Sequence, residues 1–431
     1  MTLQLVEPPG FGSPPATGEP LVSDPPNPED RTNPDDPAAD VRDEVRAASG
    51  VPEHIDKIWF HKTASAVIDA ERCIGCGGCI AACPSRSIAV AEDGRPTLVR
   101  MCTGCSACWD FCPLAGLRTE SLLAGGESAS GTVLAAHSTR AEPAVPGAQD
   151  GGAVTALLCE LLRRGEIDGV LLTSRTTGLA GEARIVTSVE EVQGSAGSVY
   201  HQPYPLAKLA GRLPEGVGRL AFVGTPCQVS VLRALQRFPW RYRESWEGAV
   251  VLAIALFCSR SFDPERLRSS LVANGADPSE ARAVRVEGGA LTAKDGNGSE
   301  LCRVPVRSVR SAALRGCEEC SDFTGIGADL SMGSLGSPTG YTTVLVRTEV
   351  GNRAWSAARE ALSSGPAPDF RQVEAFADRN RRRARKSSPS DGNGGTGPWT
   401  SYSEHLLAHG GTDRAPVATA PFRSQHYDLT C

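Results

Sequence analysis

The chain has 431 residues, with 44 Lys and Arg against 50 Asp and Glu, which gives a formal net charge of −6. This balance gives the chain as a whole no electrostatic affinity for nucleic acid, and we expect no nucleic-acid partner. The longest apolar run, residues 249–258, is about half as long as a transmembrane helix. We therefore expect no transmembrane segment, and the length is enough for two to three domains.

The chain begins with a segment of unusual composition. Residues 1–50 hold ten Pro and ten acidic residues but only three basic ones. Such a segment buries too little apolar surface to offset the entropy lost on ordering, so we predict a disordered acidic, Pro-rich tail. A solubilising extension is the favoured role, and a docking segment is the alternative. The residues do not have the pattern of a secretory signal peptide.

A cysteine motif occurs twice between Cys73 and Pro113. Each copy has the spacing Cys-x2-Cys-x2-Cys-x3-Cys-Pro. This spacing is typical of bacterial-type ferredoxins, in which the fourth cysteine of each run binds the other cluster. The first predicted 4Fe-4S cluster has the ligands Cys73, Cys76, Cys79 and Cys112. The second predicted 4Fe-4S cluster has the ligands Cys83, Cys102, Cys105 and Cys108.

Zinc sites and a disulfide framework are the other interpretations of these cysteines. A zinc site usually has two separated Cys-x2-Cys pairs and needs neither the additional cysteines at this spacing nor the prolines. The doubled motif therefore favours two iron–sulfur clusters. Because iron–sulfur thiolates need reducing conditions, we expect a cytoplasmic protein.

The rest of the chain divides at changes in composition. We expect residues 51–120 to form the ferredoxin-like domain, with a hairpin of residues 88–90 and 96–99, and residues 121–131 to form a Gly- and Ser-rich linker. Residues 132–376 alternate apolar strands with helices, which is typical of an α/β domain. Residues 377–431 begin with a basic run and continue as a Gly-, Ser- and Pro-rich tail, largely disordered. The basic run is interpreted as the solvated end of a helix, with an acidic ligand as the alternative.

Individual elements can be predicted within the α/β domain. Helical periodicity in residues 153–162 follows the pair Gly151-Gly152, and a helix N-terminus of this kind can bind an anion. Residues 287–300 suggest an antiparallel insertion. The predicted strands are residues 132–136, 169–173, 183–186, 220–223, 250–256 and 304–306. Further helices are predicted at residues 229–235, 264–274 and 353–362.

Four more cysteines stand out in this domain. Cys227 and Cys258 each follow an apolar strand, and Cys317 and Cys320 form a Cys-x2-Cys pair. Ligands commonly lie at the ends of strands in α/β domains, so these thiols are candidates for one metal centre. Zinc, a third 4Fe-4S cluster and a redox-active dithiol remain open on chemistry alone, and the two neighbouring clusters favour iron–sulfur.

With these residues the chain resembles the coenzyme F420 hydrogenase/dehydrogenase beta-subunit family. The matching stretches are residues 151–158, 221–228, 256–258, 317–323, 328–333 and 340–347. They span about half of the chain and follow the family's order. Val199 and Ser334 stand where relatives often have a basic residue and an aspartate.

The resemblance implies a mixed α/β domain that binds FAD and a 4Fe-4S cluster, so the whole chain would be of the α+β or α/β class. It implies Cys227, Cys258, Cys317 and Cys320 as cluster ligands, and no catalytic side chain, because hydride transfer is flavin-mediated. The residues that the resemblance assigns to the flavin pocket and its surroundings are Gly151, Gly152, Val154, Thr155, Thr225, Pro226, Gln228, Asp322, Phe323 and Asp329.

The expected function is therefore an oxidoreductase that exchanges hydride between coenzyme F420 and FAD and passes single electrons through the clusters. A flavin is the usual group that converts a hydride into single electrons. The expected partners are a small-molecule hydride carrier and a redox protein, either ferredoxin or another oxidoreductase subunit. The alternatives are a ferredoxin-dependent reductase of another organic substrate and a non-catalytic electron-transfer subunit.

Overall fold

The structure is a computed structural model that describes residues 59–116 except 106, and residues 128–386 except 177, 238–248, 276–277 and 280. The predicted N-terminal tail and the residues after 386 lie outside the described residues, as does most of the predicted linker. Within the described part of the chain, no helix is both long and apolar enough to cross a membrane.

The N-terminal module consists of short elements joined by cysteine-bearing loops. Strands β1 and β2 pair antiparallel with Ile88 opposite Leu98, which confirms the predicted hairpin. The helices are shorter than two turns, so the packing of the loops is more important here than helix propensity. In chain order the elements are α1 Phe60–Thr63, a π-helical turn Ala64–Ile68, α2 Gly78–Ala82, β1 Ile88–Val90, β2 Pro96–Leu98 and α3 Ala107–Asp110.

The larger domain is organised around an eight-stranded mixed sheet. Its strands are β3 Ala135–Ala141, β4 Gly169–Arg175, β5 Gly181–Val186, β6 Leu220–Gly224, β7 Val250–Leu256, β11 Leu330–Gly333, β12 Thr342–Val346 and β13 Leu362–Ser364. Their spatial order is β13-β3-β12-β11-β7-β6-β4-β5. Strands β4, β6, β7 and β11 are parallel, whereas the outer pairs are antiparallel.

A separate antiparallel sheet interrupts this domain. It has the order β10-β9-β8 and a small core that includes Leu267, Leu291 and Val309. The antiparallel insertion expected near residues 287–300 is therefore confirmed, with one strand more than a hairpin. Its strands are β8 Ala283–Glu287, β9 Ala290–Lys294 and β10 Glu300–Pro305.

Both faces of the large sheet are covered. In β6, Ala221 and Val223 join one apolar core with α4 and α8, while Leu220 and Phe222 join another core on the opposite face. This alternation follows from the two-residue period of a strand. The second core contains residues of α6 and of the N-terminal module, so the module covers part of one sheet face.

The helices of the larger domain are α4 Ala153–Arg163, α5 Val189–Gly194, α6 Pro226–Arg237, α7 Pro264–Ala273, α8 Glu349–Ala357 and α9 Phe370–Lys386. Single 3-10 segments are Pro205–Ala210, Val306–Ala312, Arg315–Glu319 and Arg359–Ala361.

Two predicted element boundaries need correction. The helix predicted at residues 353–362 is α8, which begins at Glu349, and residues 362–364 form an edge strand instead. The strand predicted at residues 132–136 lies at Ala135–Ala141. Both errors arise because β3 is defined by pairing with the distant strands β12 and β13, which local periodicity cannot reveal. Helix α9 spans Phe370–Lys386 and so crosses residue 376, and the predicted domain division there stays a prediction.

The topology brings the candidate residues to one edge of the sheet. Strands β4, β6, β7 and β11 all end there, and the antiparallel β12 begins there. The loops at this edge include Gly151-Gly152, Thr225 and Cys258. In open α/β sheets the carboxyl ends of the strands are the usual place for ligands.

Candidate iron–sulfur and cofactor sites

The eight cysteines of the N-terminal module lie in two sets, and each set contains one cysteine from the other run. The pKa of Cys112, from the second run, is raised to about 12, chiefly by burial and in part by the nearby Cys73 of the first run. Burial also raises the pKa of Cys105, with a smaller contribution from Cys83 of the first run. The inner set is Cys73, Cys76, Cys79 and Cys112, and the outer set is Cys83, Cys102, Cys105 and Cys108.

The loops around these sets direct backbone N–H groups at sulfur. The amide of Gly78 lies 3.4 Å from the Cys76 sulfur, and the amide of Ser87 lies 3.2 Å from the Cys83 sulfur. The Gly104 amide makes the same kind of contact with Cys102 at 3.4 Å. Hydrogen bonds to sulfur favour the thiolate and are one of the features that set the potential of an iron–sulfur cluster.

The outer set borders a cavity. All four of its cysteines line the cavity, together with Ile88 and Leu98 of the hairpin. Cys83 and Cys108 are buried, whereas Cys102 and Cys105 are half-buried. Four thiols around one cavity, with amides directed at two of the sulfurs, suit a 4Fe-4S cluster, which is held by four thiolates.

Four further cysteines converge at the carboxyl edge of the large sheet. Cys227 lies in the first turn of α6, Cys258 follows β7, and the other two belong to the 3-10 segment Arg315–Glu319 and the residue after it. Burial raises the pKa of Cys227 well above its usual value, and the charges of Cys320 and Cys258 raise it further. The third set is Cys227, Cys258, Cys317 and Cys320.

Neighbouring charged groups and a backbone amide surround the thiols of the third set. Burial raises the pKa of Cys320 to about 12, with further contributions from Asp322 and Cys317. The amide of Ser261 lies 3.4 Å from the Cys317 sulfur. The donor chemistry therefore suits a cluster here as well. Among the described residues, no group of three or more His, Cys, Asp or Glu side chains is spaced to hold a single metal ion.

The inner set is close to each of the other two sets. Cys76 of the inner set is among the charges that raise the pKa of Cys227 in the third set, after burial and nearer groups. Cys108 of the outer set acts in the same way on Cys79 of the inner set. The inner set therefore has a neighbouring set in each domain, the outer set in the N-terminal module and the third set in the larger domain.

The N-terminal module is joined to the larger domain beside the third set. Arg72 forms a two-pronged ion pair with Glu319, with N–O distances of 2.7 and 2.8 Å. A Cβ on Gly316 would overlap the Arg72 carbonyl oxygen, so this contact needs glycine. The amide of Tyr204 donates to the Gly75 carbonyl at 2.9 Å, which fixes the inner-set loop against the domain.

A pair of left-handed glycines precedes α4. Gly151 has a φ of +83°, and a Cβ there would lie 2.9 Å from both the Thr139 carbonyl oxygen and the Thr342 amide nitrogen. Gly152 is the N-cap of α4, whose first turn has no acidic residue and no side-chain cap. Val154 and Thr155 lie in this first turn and are partly buried.

The surroundings of this turn suit an anionic group such as the diphosphate of a dinucleotide. The N–H groups at the start of a helix attract anions. Oε1 of Gln149 is buried and has no hydrogen-bond partner among the described residues, and as an acceptor it would pair with a donor of the ligand, such as a hydroxyl, and not with its phosphates. The residues present therefore fit FAD at this edge of the sheet.

Thr225, Pro226 and Gln228 lie at the same edge but closer to the third set. Gln228 accepts a hydrogen bond from the Thr225 amide at 2.9 Å and donates to Gln202. Gln202 donates to Ser261 Oγ at 2.6 Å. The side chains of Gln228, Gln202 and Ser261 form one buried hydrogen-bonded network next to the third set.

This network is separated from the glycine pair along the sheet. Strand β6 precedes Thr225 and strand β3 precedes the glycine pair, and three strands, β7, β11 and β12, lie between them.

Comparison with known proteins identifies the family. Residues 133–210 match the family model for the N-terminal part of the coenzyme F420 hydrogenase/dehydrogenase beta subunit, and residues 217–367 match the model for its C-terminal part. The chain belongs to this family. Residues 65–113 match the 4Fe-4S dicluster domain, so the family's domain here follows an iron–sulfur module.

Several relatives of this F420 hydrogenase/dehydrogenase family are similar along most of their length. An F420H2 dehydrogenase subunit of Methanosarcina mazei is 28% identical over 73% of this chain and 91% of its own. The coenzyme F420 hydrogenase beta subunit of Methanosarcina barkeri is 30% identical over 53% of this chain and 78% of its own. A solved chain of the F420-reducing NiFe hydrogenase complex from Methanosarcina barkeri has a TM-score of 0.56 at 25% identity, covering 64% of this chain and 98% of its own.

Asp322 and Phe323, which were also assigned from the family resemblance, have partners within the protein. The Asp322 carboxylate accepts N–H bonds from Thr324, Gly325 and Ile326. Phe323 packs on Phe257 and Phe376. Their assignment to the flavin surroundings stays a prediction, and the contacts described here stabilise the loop after Cys320.

Asp329 is likewise engaged by the protein. Its carboxylate accepts hydrogen bonds from Arg233 at 2.5 Å, from the Ala253 amide at 2.8 Å and from Thr348 at 2.7 Å. These bonds tie β11 to α6, β7 and the start of α8. Its place in the flavin surroundings also stays a prediction.

Sequence reasoning missed two residues close to the third set. Gln202 was not a candidate, because nothing in its local sequence connects it with Gln228 and Ser261. Arg383 lies in the basic run of α9, and its guanidinium donates to the carbonyl oxygens of Ser259 and Cys317. The basic run is evident in the sequence, but the sequence does not show that the Arg383 side chain is only 16% exposed.

Proposed function

We propose that this chain is an iron–sulfur flavoprotein that exchanges hydride between coenzyme F420 and FAD and moves single electrons to or from a redox partner. The observation that carries the proposal is the succession of three neighbouring four-cysteine sets, the third of which lies at the carboxyl edge of the sheet. Bound FAD would supply the conversion between a hydride and single electrons.

The proposed roles of the residues follow from their surroundings. Gly151 and Gly152 let the backbone approach the cofactor closely, and the free N–H groups of α4 hold its anionic part. The three sets of cysteines each hold one 4Fe-4S cluster. No side chain needs to act as a general acid or base, and the protein orients the groups and excludes water.

The order of the three sets suggests a path for electrons through the protein. The third set lies at the sheet edge, the inner set follows it, and the outer set borders a cavity of the N-terminal module. We propose that electrons enter or leave the protein through the outer set. The partner would be a cytoplasmic redox protein, either ferredoxin or another oxidoreductase subunit, in keeping with relatives named as hydrogenase and dehydrogenase subunits.

A second candidate is a reductase that draws electrons from ferredoxin and reduces another organic substrate. It is favoured by Val199, which stands where relatives often carry a basic residue and which packs closely on Gly181 at the sheet edge. Loss of a cation there removes a contact for an anionic substrate group.

An anaerobic assay tests the first candidate. Cluster-reconstituted, FAD-supplemented protein is mixed with reduced coenzyme F420 and an artificial one-electron acceptor, and the visible absorbance of the oxidised coenzyme is followed. We expect rapid oxidation that requires FAD. No turnover, with clusters and flavin both quantified in the sample, would overturn the F420 assignment and favour the second candidate.

A further inference from the structure

The C-terminal helix α9 brings an arginine to the third set. One nitrogen of Arg383, Nη2, donates to the carbonyl oxygens of Ser259 at 3.0 Å and Cys317 at 2.9 Å. Ser259 directly follows Cys258, so the two bonds join two of the three segments that supply this set. Only 16% of the Arg383 side chain is exposed, although it belongs to a run of basic residues that looks like a solvated helix end.

The helix is anchored so that this arginine is held in place. Phe376 packs on Phe323 with ring centroids 4.6 Å apart, and Val373, Ala377 and Ala384 are buried along the same side of α9. Phe323 in turn follows Cys320 by three residues. The apolar anchor and the arginine therefore contact the same cysteine loop.

The charge of Arg383 is only partly offset by neighbouring groups. Arg260 occupies Glu318 with N–O distances of 2.8 and 3.0 Å, whereas Arg383 Nε lies 3.6 Å from that carboxylate and has no hydrogen-bond partner among the described residues. Two half-buried guanidinium groups, and the exposed one of Arg310 at 3.4 Å, thus share one carboxylate.

A buried positive charge beside a cluster favours its reduced form. Reduction of the cluster adds one electron and makes its charge more negative by one unit, and no bond is formed or broken. In the redox titration described below, dithionite supplies this electron. Attraction between that charge and a fixed cation is strong where water is excluded. Net charge, hydrogen bonding and exposure are the protein features that set cluster potentials.

We infer that Arg383 is a positioning residue of the third iron–sulfur site, which holds the Cys258 and Cys317 loops together and raises the reduction potential of the cluster bound there. The inference rests on the proposed function, because it requires a cluster at the third set. It assigns the basic helix a role within the protein, where the sequence suggested a solvated surface.

The test is a redox titration of the full chain, anaerobically reconstituted and monitored by EPR spectroscopy, with iron content measured on the same samples. The variants are Arg383→Gln and Arg383→Lys. The matched control is Arg382→Gln, because Arg382 is the neighbouring residue, is 62% exposed and pairs with Asp378 on the same helix. A Cys320→Ser variant identifies which EPR signal belongs to the third set.

We expect Arg383→Gln to lower the midpoint potential of the third cluster alone. The ratio of reduced to oxidised cluster at a fixed potential should fall about tenfold, which equals about 59 mV for one electron. Arg383→Lys should retain most of the wild-type potential, and Arg382→Gln should match the wild type. An unchanged third potential in an Arg383→Gln protein with all three clusters would overturn the inference.

If Arg383→Gln loses the third cluster, the result for Arg383→Lys decides between the two explanations. Retention of the cluster in Arg383→Lys supports the inference, because only the charge has been restored. Loss in both variants overturns the role in tuning the potential. A wild-type protein with iron for only two clusters would instead refute the third cluster of the proposed function, which is a different result.

Discussion

Burial alone does not distinguish the cysteines of the three sets from the other described cysteines. Cys159 and Cys302 are also buried, and burial raises the pKa of each. The thiol of Cys159 contacts the Val189 carbonyl within an apolar core, and free cysteine in such a place behaves as a small hydrophobe. Members of the three sets instead have other thiols as neighbours, and several accept a backbone N–H at sulfur.

A serine substitution at Cys320 tests the third set at the residue scale. A hydroxyl is a poor ligand for iron, so Cys320→Ser should lower the iron content from about twelve to about eight per chain, since each cluster holds four. Cys159→Ser is the control and should keep the full content. Twelve irons in Cys320→Ser, measured by chelator assay, would show that the assigned ligand set is wrong.

At the scale of elements, α4 determines how the sheet edge is presented. Its apolar residues recur with helical spacing and bury one side, including Leu157, Leu158 and Leu161. The two glycines before it turn the chain sharply next to β3 and β12. Because the first turn lacks a side-chain cap, its N–H groups remain available to a ligand.

We predict that Gly151→Ala lowers the FAD content with little effect on iron. A left-handed backbone costs a residue with a Cβ about 1–2 kcal/mol, and here the Cβ would also crowd Thr139 and Thr342. Gly165→Ala is a matched control after the other end of α4, because Gly165 has a φ of +65° but open space around it. Flavin released by acid is quantified by fluorescence, and equal flavin loss in both variants would contradict the prediction.

At the scale of the whole molecule, the N-terminal module is part of the core of the larger domain. Ile74, Ala81 and Phe111 of the module share an apolar cluster with Phe222 of β6 and Val231 of α6. The module is therefore not a loosely tethered carrier. Its packing keeps the inner set beside the third set.

The Arg72–Glu319 pair is expected to contribute strongly to this packing. The two side chains are 11% and 4% exposed, and removing one partner of such a buried pair typically costs about 3–5 kcal/mol. Arg72→Gln should lower the urea midpoint of unfolding, followed by circular dichroism. Arg164→Gln, which removes an exposed pair with Glu160, should leave the midpoint unchanged. Similar midpoints for Arg72→Gln and wild type would contradict a stabilising role.

The sequence determined the features that depend on short-range spacing. The doubled cysteine motif, the hairpin at residues 88–98, helix α4 after its glycine pair and strand β7 at Val250–Leu256 all follow from local pattern, because each is specified within a few residues. The family could be identified in the same way, since its motifs are contiguous.

The tertiary structure alone decided which distant residues meet. The convergence of Cys227, Cys258 and Cys317, the proximity of the three sets, and the approach of Arg383 depend on strand order and helix packing between segments that are far apart in the chain. The edge strand at Leu362–Ser364 exists for the same reason, as its pairing with β3 overrides the local helical pattern. Local sequence encodes backbone preference, whereas these contacts arise from burial of apolar surface across the whole fold.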